Sequence, residues 1–201
     1  ALTLAIAVDA LGAENVQAVM MPFEYTSKLS LDAAAKQARR LNVKYKVIPI
    51  NKIYRAFESA LKEEFEDTVP DVSEQNLQAR SRGVILMGIS NKKGFLVLTT
   101  GNKSEIAVGY STLYGDMAGG FNVLKDVSKT LVYELARYRN ALEASEVEDV
   151  IPQEVIDRAP SAELLPGQSD EDSLPPYAIL DEILELYVEK DLSADAIILQ
   201  G

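Results

Sequence analysis

The sequence predicts an α/β fold, a three-layer α/β/α arrangement with a parallel, doubly wound sheet. Two observations carry this. Short apolar runs alternate along the chain with longer stretches of helical pattern, the signature of strands crossed over by helices. The 201 residues are 47% hydrophobic and 25% charged, which suits a globular unit with a sizeable core.

The elements follow in order. "ALTLAIAVDAL" (1–11) is apolar almost all round, so it predicts a buried helix closed by Gly12. It starts without a cap or a methionine, so the chain is expected to begin inside a folded unit. "NVQAVMMP" (15–22) reads as a buried strand and "FEYTSKLS" as a polar loop. Ser30 with Asp32 marks the start of a helix through "LDAAAKQARRLN". "KYKVIPI" (44–50) is the next strand, and Asn51 is placed to cap "KIYRAFESALKEEF". "EDTVPDV" is a linker, and Ser73 opens a long helix. "GFLVLTT" (94–100) is a third strand, followed by a turn into a short helix over "GNKSEIAVG". "YSTLYGDMAGG" is a glycine-rich loop, and Ser128 opens "SKTLVYELARYRNAL". A long irregular acidic stretch leads to the amphipathic "YAILDEILELYVEK" and to a last helix capped by Ser193. Both ends are expected to be cut.

The composition restricts the chemistry. There is no histidine and no cysteine, so Ser–His and Cys–His nucleophile pairs and a His/Cys zinc site are impossible within this chain. Oxygen ligands remain, and they suit Mg²⁺. No disulfide framework can form, no secretory signal is visible, and no apolar run is long enough to span a bilayer, so a cytoplasmic protein without a membrane partner is expected. The net charge of −11 comes with no basic face, which argues against nucleic acid. Much of it sits in "EASEVEDV" and "SDEDS", read as solvated surface.

In parallel α/β sheets, ligands bind beyond the carboxyl ends of strands. That rule selects "PFEYTSKLS", with Ser27, and "TTGNKSE", with Thr100 and Glu105. A glycine turn into a helix N-terminus can face a phosphate, but a plain αβ turn with a solvated glutamate reads equally well. Asp116 lies before glycines that allow close backbone approach, or in an ordinary surface loop. Lys129 is a cation in a first helical turn, unfavourable unless it serves an anion or snorkels to solvent; Lys125 could assist it. Asn76 and Arg80 are i,i+4 on one helix face and could grip a polar ligand or simply be exposed. Ser161, in "APSAEL", says only turn or cap. No GxGxxG and no GxxxxGK[ST] occurs.

Taken together, "MPFEYTSKLSLDAAAKQARRLN", "QNLQARSRG", "LTTGNKSEIAVGYSTLYGDMAGGFNVLKDVSKTLVYELA" and "VIPQEVIDRAPSAELLPGQSDEDSLPPYAILDEIL" resemble the NAD synthetases, members of the N-type ATP pyrophosphatases. The last segment is more similar to the larger, glutamine-dependent enzymes. The resemblance implies an adenine nucleotide alpha hydrolase-like fold. It also implies a carbon–nitrogen ligase that adenylates deamido-NAD with ATP, releases pyrophosphate, and lets ammonia displace AMP to give NAD. It implies Thr100, Lys129, Ser161 and Ser27 at ATP, and Asn76, Arg80, Glu105 and Asp116 at deamido-NAD. Glu105 is further implied as a Mg²⁺ ligand, and Lys129 and Glu105 as the catalytic pair. The implied partners are a second copy in a dimer core and a glutaminase domain before residue 1. The family's "SGGxDS" phosphate loop and its basic C-terminal loop are absent from these residues. Residues 1–201 are therefore expected to be one synthetase domain, truncated at both ends and lacking its first strand and phosphate loop. Two other readings stand beside it: a GMP synthetase-like or tRNA-thiolating pyrophosphatase, and a non-catalytic nucleotide-binding module. Glu105→Ala is expected to remove turnover with little loss of stability.

Overall fold

In the computed structural model, which describes residues 1–142 and 149–199, the first helix is α1 (Leu2–Leu11). Its buried residues Leu2 and Ala5 cluster with Ala38, Leu41, Val43, Leu124, Ala136, Ile151 and Ile156. This is the main core. The apolar surround seen in the sequence is thus used on most faces, although Leu11 at the helix end is exposed.

Four strands follow, all in parallel pairs. β1 (Gln17–Met20) pairs with β2 (Lys44–Val47), from Gln17 against Lys44 to Met20 against Val47. Ile48 and Ile50 continue the bonding to Met20 and Pro22 past the regular strand. β3 (Leu98–Thr99) pairs with β4 (Phe121–Asn122). The described strands therefore form two two-stranded ladders, not one continuous sheet. Helices cover them in the expected α/β/α arrangement. β4 is too short to leave a period in the sequence and lies just past the glycine-rich loop, in residues that the sequence reading assigned to no element. β3 is likewise two residues, not seven; Phe95 and Leu96 before it are exposed.

Three helix starts differ from the expected ones, two of them because another side chain provides the cap. α2 (Lys28–Arg40) begins at Ser27, whose hydroxyl accepts from the Ser30 N–H, so Ser30 lies inside the helix. α3 (Asn51–Ala60) starts after Ile50 without a side-chain cap, and Asn51 is helical. α4 (Val72–Lys93) is started by Asp71, which with Glu74 forms a capping box; Ser73 is its second residue. α5 (Lys103–Ala107) carries a second box, made by Asn102 and Glu105. α6 (Lys129–Ala141) opens at Ser128 as expected.

The acidic stretch from Glu143 to Glu148 lies outside the described residues. Beyond it, Asn140 clasps the returning chain. Its amide donates to the Ile151 carbonyl at 2.8 Å and accepts from the Ile151 N–H at 2.9 Å. That clasp seats α7 (Gln153–Asp157), a helix the sequence reading missed. α8 (Tyr177–Leu184) continues into a π-helical turn over 185–189, and α9 (Ala194–Ile198) is capped by Ser193. Among the described residues no helix is long and apolar enough to cross a membrane.

Candidate functional site

Four of the eight predicted residues line one cleft of about 400 Å³: Thr100, Glu105, Lys129 and Ser161. The first turn of α1 and the loop from Arg158 to Ser161 form its other walls. Thr100 comes directly off β3. Glu105 is in the first turn of α5, and Lys129 is the first residue of α6. Three element ends therefore meet where the sheet rule places a ligand.

Lys129 Nζ donates to Glu105 Oε1 at 2.8 Å, with both side chains largely buried (16% and 20% exposed). The other Glu105 oxygen accepts from the Asn102 N–H at 3.1 Å. One carboxylate thus holds the lysine and closes the α5 cap. This answers why a cation sits at a helix N-terminus, where the dipole opposes it. The lysine also lies 5.1 Å above the Tyr177 ring. Behind the pair, Asp181 accepts from the Ser104 hydroxyl and, at 2.8 Å, from the Thr130 N–H. Ser104 Oγ in turn accepts from the Lys129 N–H at 2.9 Å. So α8 ties α5 to α6 at the residues that carry Glu105 and Lys129.

Ser161 lines the cleft, but its hydroxyl serves its own loop. It donates to the Gln168 carbonyl at 2.5 Å and accepts from the Glu163 N–H at 3.1 Å. Ser27 is not among the cleft-lining residues. It sits in a neighbouring network in which Glu163 accepts from the Ser30 hydroxyl at 2.9 Å and pairs with Arg158 at 2.7 Å, and Arg158 reaches Ser27 Oγ at 3.3 Å. Burial there works against the Glu163 carboxylate, but hydrogen bonds from Ser27, Arg158 and Ser30 outweigh it and hold the group below its ordinary value. Lys125 does not assist Lys129; it is exposed and pairs with Asp126.

Asn76, Arg80 and Asp116 form a second group. Asn76 accepts from the Thr112 hydroxyl at 2.8 Å, Arg80 Nε donates to the Leu113 carbonyl at 3.2 Å, and Asp116 accepts from the Thr112 N–H at 2.6 Å. Together they brace the loop between α5 and β4 against α4. Solvent reaches Asp116, yet partial burial still pushes its carboxyl up; the Thr112 N–H opposes this, and the charge of Glu105 adds to it. The two groups are therefore within electrostatic reach of each other.

The sequence reading missed Arg158, Tyr177, Asp170 and Asp181. Tyr177 and Asp181 are i,i+4 on α8, a spacing that puts both on one face and could have flagged them. Tyr110 offers a test of the buried polar groups here. Burial, the charge of Asp170 and a side-chain interaction with that carboxylate push its phenol up to about 12. A raised phenol contributes stability that is complete below the ordinary tyrosine value of about 10 and is lost as pH rises through the folded one. Tyr110→Phe is therefore expected to lose less stability than the parent between pH 10 and 12. Melting temperatures across that range check it; equal losses would show that Tyr110 does not titrate in the fold.

No group of three acidic residues able to hold a metal occurs among the described residues. Glu105 is a carboxylate oxygen donor at the cleft wall and fits as a single protein ligand. Mg²⁺ commonly takes one or two carboxylates and completes its shell with water and phosphate oxygens.

This arrangement can be set beside known proteins. The chain matches the family model described as NAD synthase over residues 1–201. It is 58% identical over its whole length to a glutamine-dependent NAD(+) synthetase of Acinetobacter baylyi, of which it covers 37%. A structure of glutamine-dependent NAD+ synthetase from Acinetobacter baumannii in complex with ADP superposes with a TM-score of 0.76 at 54% identity, over 100% of this chain and 35% of that one. NMN synthetase from Francisella tularensis superposes with a TM-score of 0.80 at 27% identity, over 98% and 75%. The chain thus spans little more than a third of the glutamine-dependent proteins. With strand, cap and lysine at the cleft all lying inside the matched residues, it belongs to the NAD synthase family.

Proposed function

We propose that these residues are the ATP-using part of an NAD synthetase that converts deamido-NAD to NAD with ammonia drawn from glutamine. The observation that carries the reading is the meeting of Thr100, Glu105, Lys129 and Ser161 on one cleft. The first step brings a carboxylate oxygen onto a polyanionic phosphate, so its barrier is mostly positioning and charge. Lys129 supplies a buried cation aimed by Glu105. Thr100 and the Ser161 loop hold the nucleotide. Asn76, Arg80 and Asp116 keep the loop at 110–120 in place, and they face the dinucleotide acceptor. Ser27 acts at one remove, by fixing the Arg158–Glu163 side of the cleft.

Mg²⁺, with Glu105 as its ligand here, would neutralise phosphate charge during transfer. The overall charge of −11 is no obstacle, because exposed charges are screened within about 8–10 Å. A glutaminase domain outside these residues, a homodimeric core and a cytoplasmic site of action complete the proposal. The first is supported by the glutamine-dependent relatives and by the absence of cysteine here, which leaves no thiol nucleophile in this chain.

The similarity to an NMN synthetase favours a second acceptor, the mononucleotide. One experiment separates the readings. The full-length protein is given ATP, Mg²⁺ and ammonium with deamido-NAD, with nicotinic acid mononucleotide, or with neither. NAD and pyrophosphate in equal amounts from the first mixture alone are expected. Amide product mainly from the mononucleotide would favour the second acceptor. Pyrophosphate release with neither acceptor would point to another pyrophosphatase, and no release in any mixture to a binding module.

A further inference from the structure

We propose that Tyr177, backed by Asp170, is the platform that keeps Lys129 aimed into the cleft. Lysine is a compact charge on a flexible four-carbon stem, and by itself it does not hold a direction. In this structure it has two anchors, Glu105 at 2.8 Å and the Tyr177 ring at 5.1 Å. The first anchor is not constant. If Glu105 turns to a metal or to substrate, its grip on the ammonium weakens, while the aromatic face remains.

The ring is fixed from behind. Tyr177 is buried, and its hydroxyl donates to Asp170 Oδ2 at 2.9 Å. A phenol bonded to a carboxylate carries more electron density, which strengthens its attraction for a cation over the face. Burial and Asp170 together hold the Tyr177 phenol far above its ordinary value, so it stays a donor. Asp170 is 3% exposed, and the Tyr110 hydroxyl interacts with the same carboxylate, so both phenols converge on it. Its own N–H donates to the Pro160 carbonyl at 3.0 Å, next to Ser161 on the cleft wall. The same helix places Asp181, one turn on, against Ser104 and Thr130. One face of α8 thus braces both the side chain and the backbone of the Lys129 region.

The bland reading is that Tyr177 only fills the small core with Leu180 and Leu184. That role predicts a loss of melting temperature and nothing else. The platform predicts weaker nucleotide binding, and it rests on the functional reading for what Lys129 meets, the phosphates of an adenine nucleotide. ADP affinity is measured by calorimetry on full-length protein with Tyr177→Leu, Tyr177→Phe and Asp170→Asn, alongside melting temperature and steady-state kinetics. Tyr177→Leu, which removes the ring, is expected to bind ADP about tenfold more weakly. Tyr177→Phe and Asp170→Asn keep a ring and are expected to lose about threefold. The KM for ATP rises in proportion and kcat falls with it, because Lys129 meets the phosphates in the transition state as well. If Tyr177→Leu does not fold, the other two variants decide. Unchanged ADP affinity in folded variants overturns the inference, as does a fall in kcat without a rise in KM. A parent protein that binds ADP but makes no amide product overturns the functional reading alone. One that binds no ADP overturns both.

Discussion

Lys129→Met in the full-length protein is expected to lower kcat/KM roughly a thousandfold while the fold survives. Methionine keeps most of the stem and packs on Tyr177, so the loss isolates the charge. On the proposed reading the charge is what the chemistry needs, because among the described residues the other side-chain cation lining this cleft is Arg158, which is paired with Glu163. Its partner gives a different result. The carboxylate of Glu105 both holds Lys129 and completes the α5 cap. Glu105→Ala is therefore expected to remove turnover and also to cost about 1–2 kcal/mol of stability, since a lost cap and an unpaired buried lysine add. This revises the expectation of little loss drawn from the sequence alone. Glu105→Gln keeps a capping acceptor and should recover part of the stability but not the turnover. Denaturant melts and initial rates of the three variants check this. Near-parental turnover in Lys129→Met would remove the lysine from the mechanism.

Gly83→Val is expected to raise the KM for the dinucleotide acceptor about tenfold or more and to cost about 1–3 kcal/mol. A Cβ on Gly83 would stand 2.6 Å from the Tyr114 carbonyl oxygen and 3.0 Å from that of Gly115. Both contacts are backbone, so the loop itself must move. Gly115 meets α4 as closely from the other side, its own Cβ position lying 2.8 Å from that of Ala79. This pair of glycines lets α4 and the 110–120 loop touch, and the contact positions Thr112 for Asn76 and Asp116. An acceptor KM that stays put, with ATP kinetics also unchanged, would show that this loop does not contribute to the acceptor site.

The periodic elements were legible because burial imposes period. α2 and α6 each turn an apolar stripe to one core and α1 is apolar almost all round, and both patterns are visible in the letters. The short elements were not. β3 and β4 are two residues each, and a pair of residues has no period; α7 is a single short helix inside a segment rich in acid and proline. Helix starts were misplaced where several cap-capable residues crowd together. Ser27 and Ser30 both suit the start of α2, and only the backbone geometry chooses between them. Asp71 and Ser73 pose the same choice at α4.

The sequence by itself determined the fold class and the absence of histidine and cysteine chemistry, and its segments that resemble one family nominated eight candidate side chains. The first two follow from composition and local pattern, which are present in the unfolded chain; the candidates follow from the resemblance. The tertiary structure alone decided how the eight residues divide: four on one cleft, three bracing a loop, and Ser27 in a network beside them. It also decided that Lys129 is held by Glu105 and Tyr177. Residues 24, 48 and 72 positions apart meet only when crossovers return the chain to the same sheet end, and nothing local encodes that return.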